Sequence, residues 1–146
     1  MNGGVWSSAM QRPDLERLRH AVLHLHKAIV DDVRGQLERV EGRLTPHAFL
    51  DRLMHDPDLA WLKPLSAVIV AMDEWLEGDG AVGTTADDAA AAPAPEPADD
   101  LAAELRRLLV PDAAGDGFAR RYAALLQDSP AIVLAHAGVV RALPPA

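Results

Sequence analysis

The sequence predicts an all-α fold, a single bundle of about five to six helices with a long disordered acidic Ala/Pro linker between residues 78 and 100. Apolar residues recur three and four positions apart, which is the spacing of one helix face. A capping residue followed by proline, typical of a helix start, occurs three times. Aromatic residues make up only 4% of the chain, and the aromatic and β-branched runs of a sheet protein are missing.

The first helix is predicted to begin at Pro13 or Asp14, because proline suits the first turn of a helix. Its apolar stripe drifts slowly around the helix, as expected for a straight helix rather than a coiled coil. Gly42 is expected to end this helix, and Gly35 is the candidate position for a kink. The stripe consists of Leu15, Leu18, Val22, Leu25, Ile29, Val30, Val33, Leu37 and Val40.

Two further helix starts are predicted, one at Thr45-Pro46 for a second helix and one at Asp56-Pro57 for a third segment. Pro64 lies inside the next apolar stripe and has no N–H to donate. We therefore expect either a kink there or a short helix that ends at Lys63 before a new helix begins. The apolar faces are Phe49, Leu50, Leu53 and Met54 in the second helix, and Leu62, Leu65, Ile69, Met72 and Leu76 beyond it.

Residues 78–100 differ in composition from the rest of the chain. They contain six acidic residues, no basic residue and three prolines, with one Val as the only sizeable apolar side chain. Such a segment buries too little surface to offset the entropy lost on ordering. The part beyond it is small for independent stability. We therefore expect a flexible N-terminus at residues 1–12 and a single helical domain at residues 13–146 that this linker interrupts.

Three more helices are predicted after the linker. The fourth stops before Pro111, and Ser129-Pro130 begins the sixth, which the prolines at 144 and 145 end. Their apolar positions are Leu101, Leu105, Leu108 and Leu109 in the fourth helix, Phe118, Tyr122, Leu125 and Leu126 in the fifth, and Ile132, His136, Val139 and Leu143 in the sixth.

The net charge is −8, and the linker carries most of it. No segment has the clustered Lys and Arg that neutralise phosphates, so neither nucleic acid nor a membrane is an expected partner. There is no cysteine, which excludes disulfides and thiolate metal sites. The N-terminus does not have the pattern of a signal peptide, and the longest apolar stretch is far shorter than a membrane helix. A cytoplasmic location is therefore expected.

Two histidine pairs are candidate binding residues. His20 and His24 have the i, i+4 spacing that lets two imidazoles reach one metal ion, although Lys27 on the same line would repel a cation. A solvated charged face is the alternative interpretation. His26 and His136 each interrupt an apolar stripe, and a buried imidazole needs a polar partner. They either line a ligand pocket with Tyr122 and Trp61, or are two separate core histidines.

Other chemistry is not indicated by the sequence. There is no glycine-rich phosphate loop, dinucleotide motif or nucleophile elbow, so no catalytic residue and no cofactor is assigned. Tryptophan is enriched at binding hot spots, so Trp6, Trp61 and Trp75 would suit an interface, with ordinary packing as the alternative for Trp61 and Trp75. The arginines that would dock the acidic linker or an anionic ligand are Arg106, Arg107, Arg120 and Arg121.

Four short stretches of the chain resemble small uncharacterised bacterial all-helical proteins with no assigned activity. These stretches are Leu25-His26-Lys27, Trp61-Leu62-Lys63-Pro64-Leu65-Ser66, and Phe118 to Tyr122 together with Ala135-His136-Ala137. The resemblance implies a bacterial, cytosolic, helical protein and assigns no site residue.

Three hypotheses for the function follow. The first is a non-enzymatic helical module for protein–protein interaction or self-association, with a protein partner or a second copy of the chain. The alternative is a bundle that binds a small molecule or metal, or an enzyme, with a polar pocket around His26 and His136. In the third, the acidic linker regulates binding by docking onto the arginine doublets.

Overall fold

The computed structural model describes residues 10–80, 98–115 and 117–144, and these residues contain helices and no strand. The predicted all-α fold is thus confirmed. The helices are α1 (Arg12–Glu41), α2 (Pro46–His55), a 3₁₀ helix (Pro57–Leu62), α3 (Lys63–Gly80), α4 (Ala98–Leu108), α5 (Gly117–Asp128) and α6 (Pro130–Ala142).

The three predicted capping residues all begin helices. Thr45 accepts a hydrogen bond from the backbone N–H of Ala48, and Ser129 accepts one from Ile132. Asp56 caps the 3₁₀ helix through the N–H of Asp58. Each cap is followed by a proline whose missing N–H costs nothing at that position. Pro64, whose position predicted a break, lies in the first turn of α3.

The corner between α1 and α2 is fixed by Gly42 and by the ion pair of Arg34 and Glu38. Gly42 ends α1 with a φ of +88°, a conformation that favours glycine. The Arg34 guanidinium donates to the Leu44 carbonyl at 2.7 Å, and Glu38 accepts from the Leu44 N–H at 2.8 Å. Arg34 also lies 5.5 Å from the centre of the Phe49 ring. α1 itself continues through Gly35 without interruption.

α1 is the central element, because it packs against both α3 and α6. Arg19 pairs with Asp73 of α3, and Arg12 donates to the Leu76 carbonyl about one turn further along α3. His26, later in α1, is next to Ser66 near the start of α3, so α1 and α3 are antiparallel. α4 packs on α3, and the 3₁₀ helix packs on α5. The buried residues of both sides of the 78–100 segment form one hydrophobic core, which includes Leu18, Leu25, Leu65, Met72, Leu101, Leu105, Tyr122 and Ile132.

The structure differs from the sequence prediction at the edges of elements. Residues 78–80 continue α3 and residues 98–100 begin α4, so both ends of the predicted linker are helical. Ala98 is buried and Asp99 accepts a hydrogen bond from the Met10 N–H, which explains the early start of α4. Residues 81–97 and 1–9 lie outside the described residues. α1 begins at Arg12, inside the predicted N-terminal segment.

Three residues assigned to apolar faces are exposed instead. Val40 is 84% exposed because the last turns of α1 extend beyond the core. On α2, Phe49 is buried but Leu50 and Met54 are 53% and 61% exposed. A short helix packed on one side buries only a narrow stripe, so the outer half of a wide apolar face remains in solvent.

Candidate functional site

Tyr122 and His136 form the most buried polar contact among the predicted site residues. Tyr122 lies on α5 and is fully buried, and its hydroxyl is 2.6 Å from Nδ1 of the half-buried His136 on α6. Burial raises the pKa of Tyr122 and lowers the pKa of His136, so both groups are neutral at pH 7. The hydroxyl has no other acceptor among the described residues, so it donates to Nδ1 and the ring proton is on Nε2.

An aromatic row continues from this pair to the 3₁₀ helix. The ring centres of Tyr122 and Phe118 are 5.1 Å apart, and those of Phe118 and Trp61 are 5.9 Å apart. Arg121 lies over the outer side of the Trp61 ring at 5.8 Å. Trp61 Nε1 is buried and has no acceptor within the described part of the chain. The structure therefore brings together three of the four predicted ligand-binding residues, as packed rings in contact with one another.

His26, the fourth of these residues, makes a different contact. Its Nε2 is 3.3 Å from the Ser66 hydroxyl on α3, whereas His136 contacts Tyr122 on α5. Burial lowers the pKa of His26. Each histidine thus has its own polar partner, as expected for separately satisfied core histidines, and no direct contact joins His26 to the aromatic row.

Three surface depressions of the described residues lie away from these contacts. Two are at the seam between α1 and α6, with volumes of about 440 and 640 Å³. A third, of about 650 Å³, lies at the corner between α1 and α2. None of these three depressions is lined by His26, Trp61, Tyr122 or His136. The shared polar pocket that the sequence suggested for these four residues does not coincide with any of them.

The metal candidates His20 and His24 are both exposed and line different depressions. Lys27, on the same side of α1, forms an ion pair with Asp31 at 2.7 Å. Across residues 10–80, 98–115 and 117–144, no group of three or more His, Asp or Glu side chains is placed to hold a metal ion. This side of α1 has the features of a solvated charged face.

The arginine doublets have unequal surroundings. Arg106 donates to the Pro144 carbonyl, and Arg121 lies over Trp61, so one member of each doublet has a contact within the bundle. Arg107 and Arg120 are exposed. Of the tryptophans, Trp61 and Trp75 are half-buried against the core, and Trp6 lies outside the described residues.

The sequence reasoning missed a surface on α6. Ile132 and Val139 of the predicted inward stripe are buried, and Ala135 is buried beside them. The opposite side carries Val133, Leu134 and Val140, which are 44%, 72% and 54% exposed, with the half-exposed Ala137 among them. We call these four residues the outer face of α6. The signal was in the sequence, because a helix that is apolar all round is expected to be covered on every side.

Two exposed charged residues lie near opposite ends of α6. Arg141, in the last turn of α6, lines the depression at the seam with α1 together with Glu16. Asp128 ends α5, which is bent by 117° from α6. Neither side chain makes a hydrogen bond or ion pair with a described residue.

Comparisons with known proteins were made at three levels. No protein-family model, no curated protein and no solved structure matches the chain. Within the described residues no single helix is long and apolar enough to cross a bilayer; α5 and α6 reach that length and apolarity only together, across a bend of 117°.

Proposed function

We propose that this protein is a non-enzymatic interaction module that binds protein, and that the outer face of α6 is its contact surface. The observation that supports this proposal is the exposure of Val133, Leu134 and Val140 on one side of one helix. The sequence predicted an interaction or self-association module without naming a surface, and this proposal names one.

The outer face differs from other exposed apolar residues of the protein because its residues adjoin one another. Scattered exposed apolar residues are normal on proteins, whereas adjoining ones are typical of binding surfaces. Val70 on α3 and Val110 after α4 are exposed without another exposed large apolar residue on their own element. Leu50 and Met54 form only a pair on α2, next to the polar pair of Asp51 and His55. Among the helices that the structure describes, α6 is the one with three exposed large apolar residues on one side.

The absence of charge on the outer face favours protein over a small anionic ligand. α6 has one charged residue, Arg141, and it lies at the end of the helix. Interface cores are typically depleted of charged side chains and have a polar rim. The outer face, with Arg141 at its C-terminal end, has this arrangement.

The alternative function, a small-molecule or metal-binding bundle around His26 and His136, has less support. The row of Trp61, Phe118, Tyr122 and His136 is brought together, but its rings pack against one another. A bacterial source and a cytoplasmic location, predicted from the sequence, likewise stay proposals.

Site-specific photo-crosslinking tests the proposed function. A photoreactive amino acid in place of Leu134, in the full chain inside cells, is expected to give discrete adducts of higher mass. The adducts would contain either two copies of this chain or one copy and another protein. Mass spectrometry of the adducts distinguishes these two compositions.

The matched control places the same photoreactive residue at Val70, which is 53% exposed and is an isolated apolar residue on α3. Adducts at Leu134 and none at Val70 support the proposal. Equal adduct formation at the two positions, or none at Leu134, contradicts it.

A further inference from the structure

The contact surface of α6 uses neither of the two buried polar groups in the aromatic row. The hydroxyl of the fully buried Tyr122 lies 2.6 Å from His136 Nδ1, and the buried Nε1 of Trp61 has no acceptor among the described residues. A buried unsatisfied N–H is costly, and a redox role is one reason for which proteins retain such a group. In a chain without cysteine, tyrosine and tryptophan are the side chains that lose one electron most readily.

The surroundings of Tyr122 suit the loss of an electron together with a proton. An oxidised phenol is a strong acid, so a phenol is easier to oxidise when a base can take its proton. His136 is neutral at pH 7, because burial lowers its pKa, and its Nδ1 already accepts the hydrogen bond from the Tyr122 hydroxyl. The proton can therefore move along an existing hydrogen bond, which leaves a neutral tyrosyl radical.

The surroundings of Trp61 have the opposite effect. Oxidation of an indole gives a radical cation, which becomes a weaker oxidant when its N–H proton is released to an acceptor. Nε1 of Trp61 has no such acceptor within the described part of the chain. The guanidinium of Arg121 lies over the ring at 5.8 Å, and its charge repels a positive charge on the indole. An oxidised Trp61 therefore keeps its proton and takes an electron from Tyr122.

The rings between these two residues connect the surface with the core. Tyr122 is fully buried, so a dissolved oxidant cannot touch it, whereas Trp61 is only half-buried. The ring centres of Trp61 and Phe118 are 5.9 Å apart and those of Phe118 and Tyr122 are 5.1 Å apart, which is the spacing of packed aromatic pairs. Phe118 is much harder to oxidise than either neighbour, so it bridges them without holding the charge itself.

We propose that the aromatic row is a one-electron redox site, which reduces one-electron oxidants such as peroxide-derived radicals at Trp61 and stores the oxidising equivalent on Tyr122. The oxidant takes one electron from Trp61. The Trp61 radical cation then takes one electron from Tyr122, while the Tyr122 O–H bond breaks and its proton binds His136 Nδ1. The products are the reduced oxidant, the restored indole, a neutral tyrosyl radical and a protonated imidazole. No residue of the outer face of α6 takes part, so this role is independent of the contact surface.

Flash oxidation of the full chain by a photogenerated ruthenium(III) tris-bipyridine complex tests where the electron comes from. Tyr122 is the one tyrosine of the sequence, so the visible absorption and the EPR spectrum of a tyrosyl radical report on it alone. A tryptophan radical is expected first, and it decays as the tyrosyl radical grows. Trp61→Phe is expected to remove the tyrosyl signal. The matched control is Trp75→Phe, which replaces a half-buried tryptophan of α3 outside the aromatic row and is expected to leave the signal unchanged.

His136→Asn tests the proton transfer separately from the hydrogen bond. Its side-chain oxygen can accept a hydrogen bond from Tyr122 but is too weak a base to take the proton. Formation of the tyrosyl radical is expected to slow roughly a hundredfold, as for the loss of a positioned base from a proton transfer. Circular dichroism verifies the helical content and thermal midpoint of each variant.

Three results would overturn the redox site. Formation of the tyrosyl radical at the parent rate in His136→Asn would exclude His136 as the base. Equal tyrosyl yields in Trp61→Phe and Trp75→Phe would exclude Trp61 as the point of entry. A radical that remains on tryptophan in the parent chain would exclude Tyr122 as the store. None of these results bears on the adducts expected at Leu134, which test the contact surface.

Discussion

The helices α1 and α6 lie side by side, but their solvent-facing sides are made of different residues. α1 buries its apolar stripe and presents charged pairs to water, such as Lys27 with Asp31 at 2.7 Å and Arg17 with Asp14 at 2.6 Å. α6 buries a similar stripe but presents Val133, Leu134 and Val140. The comparison teaches that burial of the inward stripe accounts for the large apolar residues of α1 except Val40 in its last turns, but for only half of those of α6.

Core truncation gives the largest expected difference between the two helices. Leu25 of α1 is fully buried, and Leu25→Ala is expected to lower the free energy of unfolding by about 3 kcal/mol, through lost apolar burial and the cavity left behind. Leu134→Ala removes the same atoms from the outer face of α6. In dilute protein it is expected to change the free energy of unfolding by less than about 0.5 kcal/mol.

Urea unfolding at a concentration where the chain is monomeric measures both values. Equal losses for Leu25→Ala and Leu134→Ala would contradict the assignment of Leu134 to an exposed face.

The next effect concerns the contact that fixes α6 to α5. Tyr122→Phe keeps the ring and its stacking on Phe118. It removes the hydroxyl, which donates a hydrogen bond to His136 Nδ1. The expected loss is about 1 kcal/mol in the free energy of unfolding, the usual net value of one hydrogen bond. The NMR signal of His136 is expected to shift as Nδ1 loses its partner. A variant with the same free energy of unfolding as the parent would show that the packing of α6 on α5 does not depend on this hydrogen bond.

The pH dependence of stability tests the inward sides of both helices. Burial lowers the pKa of His26 on α1 and of His136 on α6 in the folded chain. The unfolded chain therefore binds protons first as the pH falls. The contribution of each histidine to stability is present above about pH 6.5, the unfolded value, and is lost as the pH falls through the lower folded pKa.

His26→Gln and His136→Asn each keep a polar atom near the hydrogen-bonding nitrogen and cannot titrate. Each variant is expected to lose less unfolding free energy than the parent between pH 7.5 and pH 5, measured by urea denaturation at both pH values. A loss identical to that of the parent in both variants would exclude the two histidines as the source of acid sensitivity.

The smallest effect is expected on the outer side of α1. Lys27 and Asp31 are 75% and 61% exposed, and an exposed ion pair contributes little because water and salt screen it. Lys27→Ala is expected to change the free energy of unfolding by at most about 0.5 kcal/mol and to leave the adducts formed at Leu134 unchanged. Loss of those adducts in Lys27→Ala would contradict the comparison, because it would place a contact surface on α1 as well.

Local signals in the sequence predicted most of the fold. Thr45, Asp56 and Ser129 begin helices because a short side-chain acceptor satisfies an otherwise free N–H, and this requires no knowledge of distant residues. Gly42 ends α1 for a similarly local reason, its positive φ. The helical ends of the 78–100 segment were not predicted, because the burial of Ala98 and the contact of Asp99 with Met10 depend on tertiary packing.

The candidate site was less predictable than the fold. Periodicity shows which residues share a side of a helix, but not which helix that side meets. His26 and His136 each interrupt an apolar stripe, and tertiary packing gave them different partners, Ser66 and Tyr122. The outer face of α6 depends on the same unknown, since Leu134 is exposed only because no other described helix covers that side.

The most direct test of the central claim is photo-crosslinking of the full chain inside cells, with the photoreactive residue placed in turn at Leu134 and Val140 of the outer face and at Val70 of α3. The account predicts discrete adducts at both positions of the outer face and none at Val70. Equal adducts at all three positions, or none on the outer face, would contradict it.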